Sequence, residues 1–501
     1  MGQIGPFGFT TGLNTKASIY NMPKNSVYTC KNMRPWEGSL IEYNGTLQFN
    51  SSQINSGALG EAVIPNPLSA ATYPFLVIVG GKIYGLSPSG TATDISGTGS
   101  FSLTGSGQYV PDILNGIMVI PDKNNVGHLA SWNGTGNFAT ASYTSSPVFH
   151  VCNNFMFGFG ANSSTLNWSN VADPTTWTSG NSLQFRGGDG DVIKALHHIG
   201  TTLYIFKAYS IGSLLTQTVS ISGAVTLGPL TEVVVGIGCA GWGAVDKLPD
   251  GRLVFLGADG HAYIFDGSSI LDISDTSLPS GNVQALFDSA TPAVFGNYST
   301  VRCYPPRKEV WFAVPNPVNT GDPNNRILIW NYVTGAWSDF EMSSDSHAEA
   351  LAYIPTANPS SQLTSGGIYN SSGNMIALDG GYAFVHDVSG SGLTAKPCQW
   401  NASIVLNGEG RTFIPRSLIL FHLGNSSTSG FTVTYGFDGG TLGNSKSIVT
   451  STSYVRSVIS LALPSTGQSN VGPSSIQIQV VDILGAGILF DPFYLSDELM
   501  I

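Results

Sequence analysis

Phe75–Ser87 reads FLVIVGGKIYGLS: an unbroken apolar run rich in β-branched residues, two glycines, and a second run in which apolar and polar residues alternate. A two-residue hairpin turn needs positive φ at both central positions, which Gly80-Gly81 supplies at no steric cost. The stretch therefore predicts a tight β-hairpin. Asp112–Asp122, DILNGIMVIPD, repeats the design with Asn115-Gly116 at the turn. His197–Leu214, Arg252–Gly267 and Gly373–Asp387 (HHIGTTLYIFKAYSIGSL, RLVFLGADGHAYIFDG and GNMIALDGGYAFVHD) follow the same plan. Convincing amphipathic helices are scarce.

Such units begin near residues 73, 107, 147, 192, 243, 293 and 349. Steps of roughly 35–55 residues are the spacing of four-stranded propeller blades. The fold expected is all-β: a β-propeller of six or seven blades over residues 60–390, with the first and last strands sharing a blade where the ring closes. Residues 1–59 hold no clear blade and read as an extended N-terminal arm. Beyond the VSGSGLTAKP stretch, Val388–Pro397, the alternating runs lengthen, which predicts a C-terminal antiparallel β-sandwich over residues 391–501. Two β-sandwiches in place of the propeller are the competing architecture.

At 501 residues the chain exceeds what one core holds, and 42% hydrophobic content is ample for folding throughout. Charged residues make up only 10%, against roughly 25% in an average soluble protein. Ser, Thr, Asn and 61 glycines carry the surface instead, a composition suited to turns and strand edges. A surface with so little charge repulsion suits burial against other subunits. Twenty Lys plus Arg against 31 Asp plus Glu give a net charge of −11, the wrong sign for gripping phosphates. The five cysteines, Cys30, Cys152, Cys239, Cys303 and Cys398, stand singly and read as buried thiols. The N-terminus lacks a basic stretch followed by an apolar one, and Pro6 stands where a myristoylation signal wants Ser or Thr, so neither leader nor membrane anchor is expected.

Motifs for nucleophilic, phosphate-binding, zinc-protease or dinucleotide chemistry are not found, so no catalytic residue, cofactor or metal is expected. Propeller glycosidases leave no local motif, because their carboxylates come from different blades. Asp112, Asp122, Asp189, Asp191, Asp246, Asp259 and Asp266 are the candidates for such a pair, although most stand in turn contexts where the carboxylate serves backbone groups. GGDGD, Gly187–Asp191, has a calcium loop's composition without its spacing and reads as a Gly-rich turn. His197 and His198 are adjacent, so strand alternation sends them to opposite faces and they are not expected to chelate together. Trp132, Trp168, Trp177, Trp330 and Trp337 lie near strand ends and read as blade packing.

Two segments carry a family likeness. Gly8–Leu40, GFTTGLNTKASIYNMPKNSVYTCKNMRPWEGSL, has a Gly-Leu-Asn-Thr turn, a Pro-containing spacer, then an Asn and a Gly-flanked strand, with Gly12, Leu13, Asn14, Asn32 and Gly38 at the telling positions. Val151–Gly180 leads a strand into Trp168-Ser169, then Asp173-Pro174 and Trp177, while Arg326–Met342 holds Trp330, Asn331, Gly335 and Trp337. In this style and order the chain resembles the packaged-DNA stabilisation, or tail nozzle (tail hub), proteins of short-tailed bacteriophages, the podoviruses.

The resemblance implies a non-enzymatic virion protein, made in the host cytoplasm. It implies a homo-hexamer ringed beneath the portal and its adaptor protein, with a tail fibre, needle or tailspike below. Such a ring closes the channel over packaged DNA and passes double-stranded DNA at ejection without binding it specifically. The alternative is an extracellular propeller that binds or degrades carbohydrate.

Overall fold

The computed structural model describes residues 3–17, 22–23, 25–43, 45–56, 58–97, 108–121, 128–142, 146–160, 162–217, 226–275, 282–289, 298–315, 326–341, 348–355, 367–368, 373–390, 397–408, 411–412, 414–424, 430–438, 442–462, 475–482 and 489–496. It is an all-β protein built on a β-propeller. Among the described residues helix is confined to the short α-helix Gln284–Asp288, the single residue Tyr298 and a 3-10 turn, Pro305–Arg307. No described helix is long and apolar enough to cross a membrane.

Six four-stranded blades are built from consecutive strands, and their innermost strands are Gly60–Pro65, Asp112–Leu114, Phe149–Cys152, Ile193–Ile199, Val245–Lys247 and Thr300–Tyr304. A seventh unit, five-stranded when the two-residue strand Gly367–Ile368 is counted, is composite. Ala350–Ile354, Asn374–Asp379 and Tyr382–Gly390 pair in turn, and Gly45–Gln48, from near the start of the chain, adds the outer strand. Sharing one unit between the two ends of the propeller closes the ring, because its outer strand comes from ahead of the first blade. Ala350–Ile354 lies against Gly60–Pro65, and the Tyr109 N–H donates to the Glu61 carbonyl at 3.3 Å, which links blade one to blade two.

The hairpin reading of Phe75–Ser87 holds: Val79 pairs with Lys82 around Gly80 and Gly81, whose φ values are +56° and +76°. Asn115 and Gly116 turn with φ values of +50° and +75°. Phe75–Val79 is buried at every position, and the packing explains why it lacks alternation. Phe75, Val77 and Val79 meet Ala352, Ile376 and Leu378 of the seventh unit, while Leu76 and Ile78 meet Met118, Ile120 and Ala130 of blade two. A blade strand has neighbours on both faces, so both of its side-chain rows are apolar. Glu309–Val314 of blade six follows suit, with Trp311 and Ala313 facing the seventh unit and Val310, Phe312 and Val314 in the core on the other side.

Residues ahead of the first blade supply strands to three sheets. Thr29–Lys31 pairs in parallel with blade six through Asp339↔Lys31 and antiparallel with Cys398–Val405, so blade six continues into the C-terminal strands Ser475–Asp482, Gly430–Phe437 and Asn444–Val449. A second sheet combines Gln3–Phe7, Met33–Trp36 and Ser39–Glu42 with Phe493–Ser496, Ser417–Leu423, Leu489–Phe490 and Val455–Ser460. The two sheets meet through aromatic rings: Trp400 lies 5.9 Å from Phe490 and 5.6 Å from Phe493, and Phe431 lies 4.9 Å from Phe490.

Candidate functional site

Two places concentrate the residues that the sequence singles out: the junction of the N-terminal segment with blade six, and the axis of the propeller.

At the junction, Gly12 pairs in parallel with Trp337, the first residue of blade six's outer strand. Gly12 has φ +66°, and a Cβ placed there would stand 2.5 Å from the Trp337 carbonyl oxygen. Glycine is required by both conformation and space. Leu13 is buried beside it, and Asn14 accepts the backbone N–H groups of Lys16 and Ala17 on its Oδ1 at 3.2 and 3.0 Å, an Asx turn that reverses the chain. Asn32 adopts φ +54°, donates its backbone N–H to the Asp339 carbonyl at 2.8 Å and its Nδ2 to the Pro397 carbonyl at 2.7 Å. One asparagine thus ties blade six to the first C-terminal strand. Gly38 turns with φ +91°, and its carbonyl accepts the Phe9 N–H at 3.1 Å. Trp337 is fully buried, donates Nε1–H to the Ile273 carbonyl at 3.0 Å, and packs 5.4 Å from Phe312 and 6.4 Å from Trp330.

Gly12, Leu13, Asn14, Asn32, Trp330 and Trp337 thus share one region of the fold, with the Gly38 turn adjoining it through Phe9. Trp168, Asp173 and Trp177 do not join them. Trp168 ends the third strand of blade three, and in the loop that follows Asp173 accepts the Thr175 N–H at 3.0 Å and Trp177 donates Nε1–H to the Pro174 carbonyl at 2.9 Å. Trp177 lies 5.8 Å from Phe149, a packing role.

On the axis, a cavity of about 450 Å³ is lined by Ile64, Asp112, Lys247, Arg302 and Tyr353, one from each of five inner strands. Asp112 and Asp246 act there as staples of one design. Asp112 accepts the N–H groups of Ile113 and, from blade three, Val151, both at 2.7 Å. Asp246 accepts those of Lys247 and, from blade six, Cys303, both at 2.7 Å. Each carboxylate therefore bridges two blades through the backbone. Burial pushes the Asp112 carboxyl up to about 6 against the pull of its two N–H donors. It raises the Asp246 carboxyl as well, with Arg302 opposing.

The other candidate carboxylates serve turns. Asp259 accepts the Tyr263 hydroxyl at 2.7 Å, and Asp266 accepts the N–H groups of Ser269 and Ser268 at 2.7 and 2.8 Å, which hold its carboxyl well below the usual range. Asp122 lies outside the described residues. In the GGDGD loop, Asp191 accepts the N–H groups of Ala208 and Tyr209 at 3.0 and 3.1 Å, and Asp189 receives the Lys207 ammonium at 2.9 and 3.0 Å. A lysine ammonium thus occupies the place of a cation. The Lys207 side chain is fully buried, whereas that of Asp189 is 31% exposed. Asp189→Asn should therefore lower the melting temperature more than Lys207→Met. The first strands an ammonium with no access to water, and the second leaves a carboxylate that water can reach. Thermal melts of both variants check this, and equal shifts would mean that the pair is solvated.

The expectation that His197 and His198 stay apart is corrected by the fold. Alternation separates their Cβ atoms, but the rings converge on a third histidine, His150, from the adjoining inner strand. The His150 ring centroid lies 4.7 Å from that of His197 and 5.0 Å from that of His198. His150 Nε2 and His198 Nδ1 are 2.8 Å apart and share a hydrogen bond. The pairing that unites the three residues spans blades three and four, which spacing along the sequence does not reveal. All five cysteines are free and buried, as expected.

No protein family and no curated protein matches the chain. Among solved structures, the chain is similar to BamB from Moraxella catarrhalis, at 13% identity over 70% of this chain and 100% of that one, with a TM-score of 0.38. It is likewise similar to Kluyveromyces lactis Hsv2, at 9% identity over 70% of this chain and 96% of that one, with a TM-score of 0.35.

Proposed function

We propose that this chain is a structural virion protein, the nozzle or tail hub of a short-tailed bacteriophage. In this reading six copies ring the channel beneath the portal adaptor, retain packaged DNA, conduct it at ejection, and carry a fibre, needle or tailspike at the lower end. The observation that carries the reading is the convergence of Gly12, Asn32, Trp330 and Trp337. These residues carry the likeness to the nozzle family, come from segments some 300 positions apart, and meet at one junction. A wall that holds back pressurised DNA must resist shear between its parts, and backbone pairing does so better than side-chain contact alone.

The N-terminal segment acts as an arm that locks blade six to the C-terminal strands, and the two facing C-terminal sheets form a sandwich module offered to adaptor or neighbouring copies. A chain with 10% charged residues suits a surface largely covered in an assembly, and a net charge of −11 lets DNA slide without lasting phosphate contacts.

The test is light scattering of the purified chain, alone and mixed with tail-less, DNA-filled particles of a short-tailed phage. Binding to the particles with an end to DNA leakage is the expected result, whether or not the free chain is a monomer. A chain that leaves the particles leaking refutes the reading.

A further inference from the structure

We infer that His150, His197 and His198 form a binding site for one divalent transition-metal ion of the zinc class, set near the propeller axis between blades three and four. Each ring offers a ligand nitrogen, and the three atoms lie within 4.8 Å of one another. Imidazole suits zinc, cobalt and nickel, and three histidines with an open fourth position is a recurrent zinc arrangement.

The surroundings favour the ligand-ready form. Burial lowers the basicity of all three histidines, and the Lys247 ammonium lowers it further at each of them. Asp112, from blade two, sets its Oδ2 3.5 Å from His150 Nδ1 and so leaves Nε2 facing His198. A carboxylate behind a ligating histidine fixes its tautomer and strengthens it as a donor. His197 Nδ1 accepts the His198 backbone N–H at 2.9 Å and lies 3.4 Å from the His198 carbonyl oxygen, so ligation through Nε2 requires the ring to exchange the first partner for the second.

The 2.8 Å between His150 Nε2 and His198 Nδ1 is a hydrogen bond in the empty site. Tetrahedral zinc with Zn–N of about 2.0–2.1 Å would hold two nitrogens roughly 3.3 Å apart. For this pair an opening of about half an ångström exchanges the shared proton for the ion, and the His197 nitrogen, within 4.8 Å of both, has to close on it. The metal would join blade three to blade four, with Asp112 of blade two behind it. The inference does not depend on the viral reading.

Untagged full-length protein, stripped with a chelator, is titrated with Zn²⁺ by calorimetry and with Co²⁺ by visible absorption. One ion per chain, with the intense d–d bands of four- or five-coordinate cobalt, is expected. His150→Gln, His197→Gln and His198→Gln should each weaken Zn²⁺ binding at least tenfold, and Asp112→Asn about tenfold. Uptake that is no stronger than that of the triple glutamine variant overturns the site, as does uptake that no single variant alters. Because a variant that fails to fold is uninformative, X-ray absorption of the zinc-loaded wild type provides a second measure. Three imidazoles around the ion support the site, and two or fewer overturn it.

Discussion

Gly12→Ala should unfold at a markedly lower urea concentration than the parent chain, with a loss of about 2–5 kcal/mol. A left-handed backbone costs a non-glycine residue about 1–2 kcal/mol, and forcing an atom into filled space adds about 1–3 kcal/mol. The second cost applies because the added Cβ would stand 2.5 Å from the oxygen and 2.9 Å from the nitrogen of Trp337, both backbone atoms that no rotamer change can clear. Relief requires the N-terminal segment to lift from blade six. Gly116→Ala is the control, since it shares a positive φ of +75° but has nothing within 4 Å of its Cβ position. It should lose only the conformational part, about 1–2 kcal/mol. Near-UV circular dichroism across a urea titration separates the two variants. Equal midpoints would mean that the junction yields freely, and the view of the N-terminal segment as a lock would fail with it.

The contrast between those two glycines shows what the sequence makes legible. Both stand at turns, and turn chemistry is local: Asn115-Gly116, Gly80-Gly81 and Gly380-Gly381 all have the positive φ values that their residue types announce. The blade pattern follows from such turns and from the apolar strands between them. First-blade pairing begins at Gly60, although no tight turn joins Gly60–Pro65 to the next strand. Ring closure by Gly45–Gln48 joins residues more than 330 positions apart, and no period or propensity encodes that partner. The same holds for His150 with His197 and His198. Alternation is a rule about one strand, and the cluster depends on how two inner strands lie side by side. The carboxylates fall between these cases. Asp259 and Asp266 bind backbone or side-chain groups of their own turns, as their neighbours suggest, whereas Asp112 and Asp246 reach across to the next blade.

The largest stability effect is expected at a buried ion pair that the sequence does not reveal. Arg34, from the N-terminal segment, places Nε 3.1 Å from Glu309 Oε1 of blade six, and the two side chains are 5% and 3% exposed. Glu309 Oε2 accepts the Trp311 indole N–H at 2.9 Å, and the Arg34 guanidinium sits 4.3 Å over the Tyr43 ring. Tyr43 in turn packs against Trp311 and Phe340, so the pair is enclosed by aromatic rings. Burial raises the Tyr43 hydroxyl well above its usual range, Glu309 adds to the rise, and Arg34 opposes it. The tyrosine therefore stays neutral and adds no second negative charge beside Glu309. Arg34→Met should cost about 3–5 kcal/mol, because it removes the cation beside a carboxylate in a dry, aromatic setting, and Glu309→Gln should cost a comparable amount by removing the carboxylate beside a buried guanidinium. The double variant Arg34→Met/Glu309→Leu removes both charges and should be less destabilised than either single one, since apolar replacement of a whole buried pair is often close to neutral. A double-mutant cycle read by urea denaturation gives the coupling energy directly. A double variant that loses the sum of the two single losses would show that the charges do not interact. The N-terminal segment would then be held on blade six by backbone pairing and apolar contact alone.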